Sequence, residues 1–305
     1  MAGAEGGPEA SVALAISTTL GERILFGTTG FLDVPGARLR YEVRGDGPPL
    51  VLLHGNTGDG DVFQFVAAPL AQRYTVITYD ARGNSRSTLT TDDPGSQPVR
   101  ERADDALAII DALTDEPPFV FGNSGGAITA LDLLSRYPDR VRLVIAHEPP
   151  MFTVLPDAAD HAAFFADVHA TFLREGTDAA FQKFGAGIGM PAQNQPAEST
   201  QLPPAIGEMR ARMHANLPFF LGNEMLDVVG YQPDVPALAK SADRLIFGIG
   251  ADSRAFRPAL PALEFAPTIN AELVEFPGDH AGYLGSAEPF VTTLLNVLAA
   301  RSITK

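Results

Sequence analysis

The sequence predicts an α/β fold in which a mostly parallel central sheet is flanked by helices and a helical cap is inserted before the last strands. Three observations carry that reading. Uncharged runs such as Leu50 to Leu53 and Phe119 to Phe121 are expected of strands buried on both faces of a parallel sheet. Amphipathic stretches stand between such runs, and regular alternation of this kind specifies parallel pairing with right-handed crossovers. The alternation stops from Met151 to about Lys240, where Phe- and Met-rich helical patterns are broken by Pro and Gly, and resumes at Arg244.

Taken in order, Met1 to Leu20 reads as a flexible tail, with Gly and Ala crowding its first ten residues. Gly30 to Val34 and Arg38 to Arg44 read as strands joined by a Pro35-Gly36 turn, and Gly45 to Pro48 as the next turn. After the strand Leu50 to Leu53, a helix pattern over Asp61 to Ala71 puts Val62, Phe65, Val66 and Leu70 on one face. There follow a strand Tyr74 to Tyr79, a helix Arg100 to Leu113, the strand Phe119 to Phe121, a helix ending at Arg136 and a strand Val141 to Ala146. The last elements are a strand Arg244 to Ile249, a helix near Ala255 to Leu263, a strand Glu272 to Phe276 and a helix Pro289 to Ala300. The expected organisation is therefore a tail (1–20), a first core part (21–150), a cap (151–240) and a second core part (241–305). Pro191 to Pro204, rich in Pro, Gln and Ser, is expected to be a loop within the cap.

A chain of 305 residues suffices for one large core with an insertion. Hydrophobic residues at 45% and charged residues at 19% exclude wholesale disorder. The net charge of -15 argues against nucleic acid or an anionic membrane as partner, because no basic patch dominates such a field. Without cysteine there is no disulfide framework and no thiolate nucleophile. No secretory signal or membrane-spanning run is recognised, so a cytoplasmic location is expected. A homo-oligomer is left open.

Gly122-Asn123-Ser124-Gly125-Gly126 lies between the strand Phe119 to Phe121 and an amphipathic helix. A G-x-S-x-G match at a strand-to-helix turn is a candidate nucleophile elbow, in which the flanking glycines let the chain turn sharply and expose the Ser124 hydroxyl. Serine needs a base, and the base needs an acid to hold its tautomer. His280, in Pro277-Gly278-Asp279-His280, follows the last strand and so stands at the same sheet edge as Ser124. His54-Gly55-Asn56 follows the first buried strand, and the amides of Asn56 and Gly125 are the expected oxyanion donors. His54, Asp80 and Arg82 are expected to fix loops rather than to do chemistry.

These segments, in this order, resemble the α/β-hydrolases over about Gly30 to Ala300, and Tyr79-Asp80-Ala81-Arg82-Gly83 belongs to the same pattern. The resemblance implies an α/β-hydrolase fold and a serine hydrolase that needs no metal or organic cofactor. It also leaves two places for the acid. The commoner one follows the strand after the cap, where Gly250-Ala251-Asp252-Ser253 offers Asp252 but puts Ser253 where the usual Gly-x-x-Asp spacing has its aspartate. The other follows the strand after the elbow helix, where Ala146-His147-Glu148-Pro149-Pro150 resembles the zearalenone lactonases and implies Glu148. Glu148 is the preferred acid and Asp252 the alternative.

The cap carries Phe152, Phe164, Phe165, Phe172, Phe181, Phe184, Met190, Met213, Phe219 and Phe220, most of them expected to pack the cap onto the core. An apolar roof suits a small hydrophobic ester or lactone. No tryptophan occurs, so the indole that lines many related caps is missing. A perhydrolase or a C-C bond hydrolase would use the same groups, and a non-catalytic binding protein of this fold would need none of them.

Overall fold

The computed structural model describes residues 27–190, 203–254 and 256–302. The expected tail, Met1 to Leu20, lies outside the described residues, as does nearly all of the expected loop Pro191 to Pro204. Pro204 itself opens a helix, Pro204–Ala215, at the position where a missing N–H costs nothing.

The sheet comprises β1 (Thr28–Val34), β2 (Ala37–Arg44), β3 (Pro49–Leu53), β4 (Thr75–Tyr79), β5 (Thr88–Leu89), β6 (Phe119–Asn123), β7 (Leu143–His147), β8 (Leu245–Gly250) and β9 (Glu272–Phe276). Their order across the sheet is β1-β2-β4-β3-β6-β7-β8-β9, with β5 paired to β2. The hairpin β1-β2 and the β2-β4 pair are antiparallel, and every pair from β4 to β9 is parallel.

Strands β3, β6, β7 and β8 are buried along their whole length, which is why they lack the polar alternation of a half-exposed strand. Successive side chains serve opposite faces. Leu50 and Leu52 join one core with Phe119, Phe121, Ile145 and Phe290, whereas Val51 and Leu53 join the other with Val120, Val144, Ile128 and Leu131. A third core, built on Phe165, Val168, Leu221 and Met225, lies within the helical stretch between β7 and β8. That stretch includes Ala158–Glu175, Thr177–Ile188, Pro204–Ala215, a π-helical turn Phe220–Glu224, Met225–Val229 and Val235–Lys240. Among the described residues no helix is long and apolar enough to cross a membrane.

Element ends depart from the sequence expectation by a few residues. The helix expected over Asp61 to Ala71 begins as a tighter 3-10 turn, Gly60–Phe63, before Gln64–Leu70. Asp59 explains the start: its side chain accepts from the Asp61 amide and caps the turn. The helix expected near Ala255 to Leu263 likewise divides into Arg257–Ala259 and Leu260–Phe265.

The connection leaves β3 toward β4 on one side and returns to β6 on the other, so the strand order reverses between β3 and β6. Open α/β sheets bind ligands at the carboxyl ends of the strands beside such a reversal. The loops after β3, β6, β7, β8 and β9 meet there.

Candidate active site

Ser124 directly follows β6, and its amide extends the ladder by donating to the His147 carbonyl at 2.9 Å. Its backbone φ is +54°, a region that non-glycine residues adopt at a cost of order 1–3 kcal/mol. The helix Gly125–Arg136 starts at the next residue, and the Ser124 carbonyl accepts from the amides of Ala127 and Ile128 at 2.9 and 3.1 Å. The turn is this tight only because the elbow glycines lack side chains. A Cβ on Gly122 would meet the Gly126 carbonyl, and one on Gly126 would meet the Leu53 carbonyl of the neighbouring strand.

Glu148 stands in the equivalent place after β7, again at positive φ (+47°), and its amide donates to the Gly248 carbonyl at 2.9 Å. That conformation turns its side chain into the sheet edge, where it is fully buried. Its Oε2 lies 2.6 Å from Nδ1 of His280. Its Oε1 accepts from the Gly250 amide at 2.7 Å and from the Ser253 hydroxyl. Burial alone would raise the Glu148 carboxyl, but the hydrogen bond from His280, the nearby imidazoles and the Ser253 hydroxyl together hold it below the usual carboxylate range. An ionised carboxylate only accepts, so Nδ1 of His280 carries a proton, and in the neutral ring that tautomer leaves the lone pair on Nε2.

Asn123, the residue before the serine, ties three elements together. Its Nδ2 donates to His147 Nδ1 at 3.1 Å and to the His280 carbonyl at 2.9 Å, while its Oδ1 accepts from the Tyr283 hydroxyl at 3.1 Å. The His280 loop is thereby fixed to the elbow. His147 itself is fully buried among the rings of Phe121, Phe276 and Phe290, and burial pushes its pKa down to about 4.

The loop after β3 brings Asn56 against the elbow. Its backbone nitrogen lies 3.4 Å from the point a Cβ on Gly125 would occupy, and its Oδ1 fills that point, so the residues of the two expected oxyanion donors are in contact. His54 Nδ1 donates to the Gly55 carbonyl at 2.7 Å and Nε2 accepts from the Ala81 amide at 3.0 Å, which sets a neutral tautomer, and burial lowers its pKa. Asp80 accepts from the Gly60 amide at 3.0 Å and from Arg86 Nε at 2.7 Å, and Arg82 forks onto Asp105 at 2.6 and 2.7 Å. These groups hold loops and do not face the serine's cavity.

Asp252 is exposed, and its amide, rather than its carboxylate, makes the local tie, donating to the Gly278 carbonyl at 3.0 Å. It borders the cavity but has no hydrogen bond or ion pair to His280. Ser253, next to it, was not read from the sequence as a site residue. Its signal was the serine standing where the commoner spacing has the acid.

Ser124, His280, Asn56 and Ser253 open into a cavity of about 890 Å3. Phe152, Phe181, Phe184, Phe220, Met190 and Met213 line it, together with Val228, Val229 and Phe256. Six of the ten Phe and Met residues singled out in the sequence line the cavity, and the same six also pack in the hydrophobic clusters, as expected of them. Among the described residues no group of three or more His, Asp or Glu is placed to hold a metal ion.

Comparison with known proteins bears on the family and the fold. A family model described as the alpha/beta hydrolase fold matches residues 48–178. The chain is 33% identical over 275 residues to the uncharacterized hydrolase YraK of Bacillus subtilis (strain 168), covering 88% of this chain and 95% of that protein. It is 29% identical over 206 residues to a zearalenone hydrolase of Bionectria ochroleuca, covering 67% of this chain and 69% of that protein. A thermophilic esterase from Thermogutta terrifontis superposes with a TM-score of 0.70 at 20% identity, over 90% of this chain and 99% of that one. Similarity that runs almost the full length of another hydrolase, on this sheet order, places the chain in the α/β-hydrolase family as a hydrolase.

Proposed function

We propose that the protein is a serine hydrolase that cleaves a hydrophobic carboxylic ester or lactone through an acyl-enzyme on Ser124. The observation that carries the reading is the 2.6 Å pair between His280 and the buried Glu148, with His280 lining the same cavity as the strained elbow serine. Glu148 is the acid in this mechanism and Asp252 is not. The stretch between β7 and β8 serves as the cap and supplies the apolar wall. An apolar cavity near 890 Å3 suits an uncharged guest of substantial size, and the relationship to a zearalenone hydrolase supports including lactones.

His280 Nε2 takes the proton of Ser124 as Oγ attacks the carbonyl carbon. The carbonyl oxygen becomes an oxyanion held by the amides of Asn56 and Gly125, each donor contributing about 10²- to 10³-fold to the rate. The carbon-oxygen bond to the alcohol breaks, and His280 returns the proton to the departing oxygen. In a lactone that alcohol stays tethered to the acyl chain. Water then gives a proton to His280, its oxygen attacks the acyl carbon, and Ser124 leaves with the proton. Glu148 stabilises the imidazolium formed in both halves and keeps the ring in one tautomer.

Treatment with a fluorophosphonate probe, followed by peptide mapping, tests the nucleophile: modification of Ser124 is expected. Turnover of short-chain p-nitrophenyl esters against macrolactones then tests the substrate class. Labelling without hydrolysis of either class would refute the ester and lactone reading, and no labelling of folded protein would refute the acyl-enzyme.

A further inference from the structure

Glu224 is fully buried, yet it lies in the helical stretch between β7 and β8, far along the chain from the loops it touches. It ends the π-helical turn Phe220–Glu224, a geometry that is rare and concentrated at functional sites because the widened turn re-aims the side chains after it. Its two carboxylate oxygens serve different core loops. Oε2 accepts from Asn56 Nδ2 at 2.9 Å, and Oε1 accepts from Asn84 Nδ2 at 2.8 Å with Arg102 Nη1 3.6 Å away.

The Asn56 end of that bond determines more than cohesion. A carboxylate only accepts, so the bond fixes which end of the Asn56 amide faces Glu224 and turns Oδ1 over Gly125. Asn56 Oδ1 occupies the space a Cβ on Gly125 would need. The same loop continues through Thr57 at a φ of +68°, and Asn216 Nδ2, from the same helical stretch, donates to the carbonyls of Thr57 and Gly58 at 3.0 and 3.3 Å. Residues 56–58 are thus held from the cap side by two separate side chains.

We propose that Glu224 is a positioning residue for oxyanion binding, acting through the Asn56 side chain to aim the Asn56 amide, so that the oxyanion site is complete only when the cap is seated. The inference rests on the acyl-enzyme mechanism above. Two acceptor oxygens are needed to take one N–H from each asparagine, and a glutamine has only one. Glu224→Gln keeps the volume, and because Arg102 stands beside the Asn84-facing oxygen, the amide keeps its carbonyl there and turns its NH2 to Asn56, which loses its acceptor and turns over.

The test is steady-state kinetics of Glu224→Gln, Asn56→Ala and the double variant, with the affinity of a trifluoromethyl ketone, which mimics the tetrahedral adduct. Glu224→Gln is expected to lower kcat by about 10- to 100-fold with KM within about threefold, and to weaken the ketone in proportion. In the Asn56→Ala background the same change is expected to alter kcat by less than about twofold, because the link is already cut. A role confined to holding the cap would instead lower the melting temperature and raise KM at unchanged kcat, and that result overturns the proposal. Additive losses in kcat overturn it as well. Should Glu224→Gln fail to fold, Asn56→Ala decides alone: a matching fall in kcat and ketone affinity supports the proposal, and kcat within about twofold of the unaltered protein overturns it. Fluorophosphonate labelling separates the two levels. Without labelling of Ser124 in the unaltered protein both readings fall, whereas labelling with unaffected variants removes only the positioning role.

Discussion

The Ser253 hydroxyl donates to the Glu148 oxygen that His280 does not use. The position that in the commoner pattern would carry the acid has become a support for a carboxylate arriving from another strand, β7. Together with the Gly250 amide, it keeps a fully buried carboxylate ionised and aimed.

Removing that support should weaken the acid without removing it. Ser253→Ala is expected to lower kcat about tenfold, equivalent to about 1.4 kcal/mol, with KM little changed. Because Ser253 already touches the place of the Glu148 carboxylate, Ser253→Asp in a Glu148→Ala background is expected to restore part of the lost activity. Steady-state kinetics on one ester check both, and a double variant no better than Glu148→Ala would show that the two positions cannot exchange the role.

Gly125 has no room for a methyl group beneath Asn56. Gly125→Ala is expected to displace Asn56 and to lower kcat by about 100-fold or more, as loss of one oxyanion donor does. Circular dichroism establishes folding and kinetics the loss, and full activity in Gly125→Ala would mean that the Asn56 loop is not part of the oxyanion site.

Acid should destabilise the fold through its buried imidazoles. His147, held near a pKa of about 4, stays neutral in the folded chain while the unfolded chain takes up a proton below the ordinary histidine value of about 6.5. The unfolded state therefore binds more protons between those values, and this contribution to stability is full above about 6.5 and lost as pH falls toward 4. The slope from His147 is up to about 1.4 kcal/mol per pH unit, and His54, also lowered by burial, acts in the same direction. His147→Phe, among three other phenyl rings, is expected to flatten the dependence in urea unfolding measured from pH 7 to 4. An unchanged slope would locate the acid sensitivity elsewhere.

Much of the fold was legible because a strand buried on both faces must be apolar throughout, and Leu50 to Leu53 and Phe119 to Phe121 are. The elbow was legible because its glycines are demanded by backbone contacts with Leu53 and Gly126, which leave the same trace in any sequence that makes this turn. The preference for Glu148 over Asp252 rested in the sequence on a resemblance alone, since both follow parallel strands at the correct edge and the positive φ that turns the Glu148 carboxylate inward leaves no local pattern. Glu224 was still less visible. Its partner Asn56 is 168 residues away, and the π-helical turn that aims it has no local periodicity of its own. The helix start at Asp59 was missed because a short side chain, rather than the apolar pattern, sets it.

In the proposed mechanism His280 is served by Glu148. This pairing is tested most directly by kcat/KM of Glu148→Gln and Asp252→Asn, compared with the unaltered protein on one ester substrate. A loss of about 10³-fold or more is expected for Glu148→Gln and a change within about threefold for Asp252→Asn. A dead Asp252→Asn beside a near-normal Glu148→Gln would contradict it.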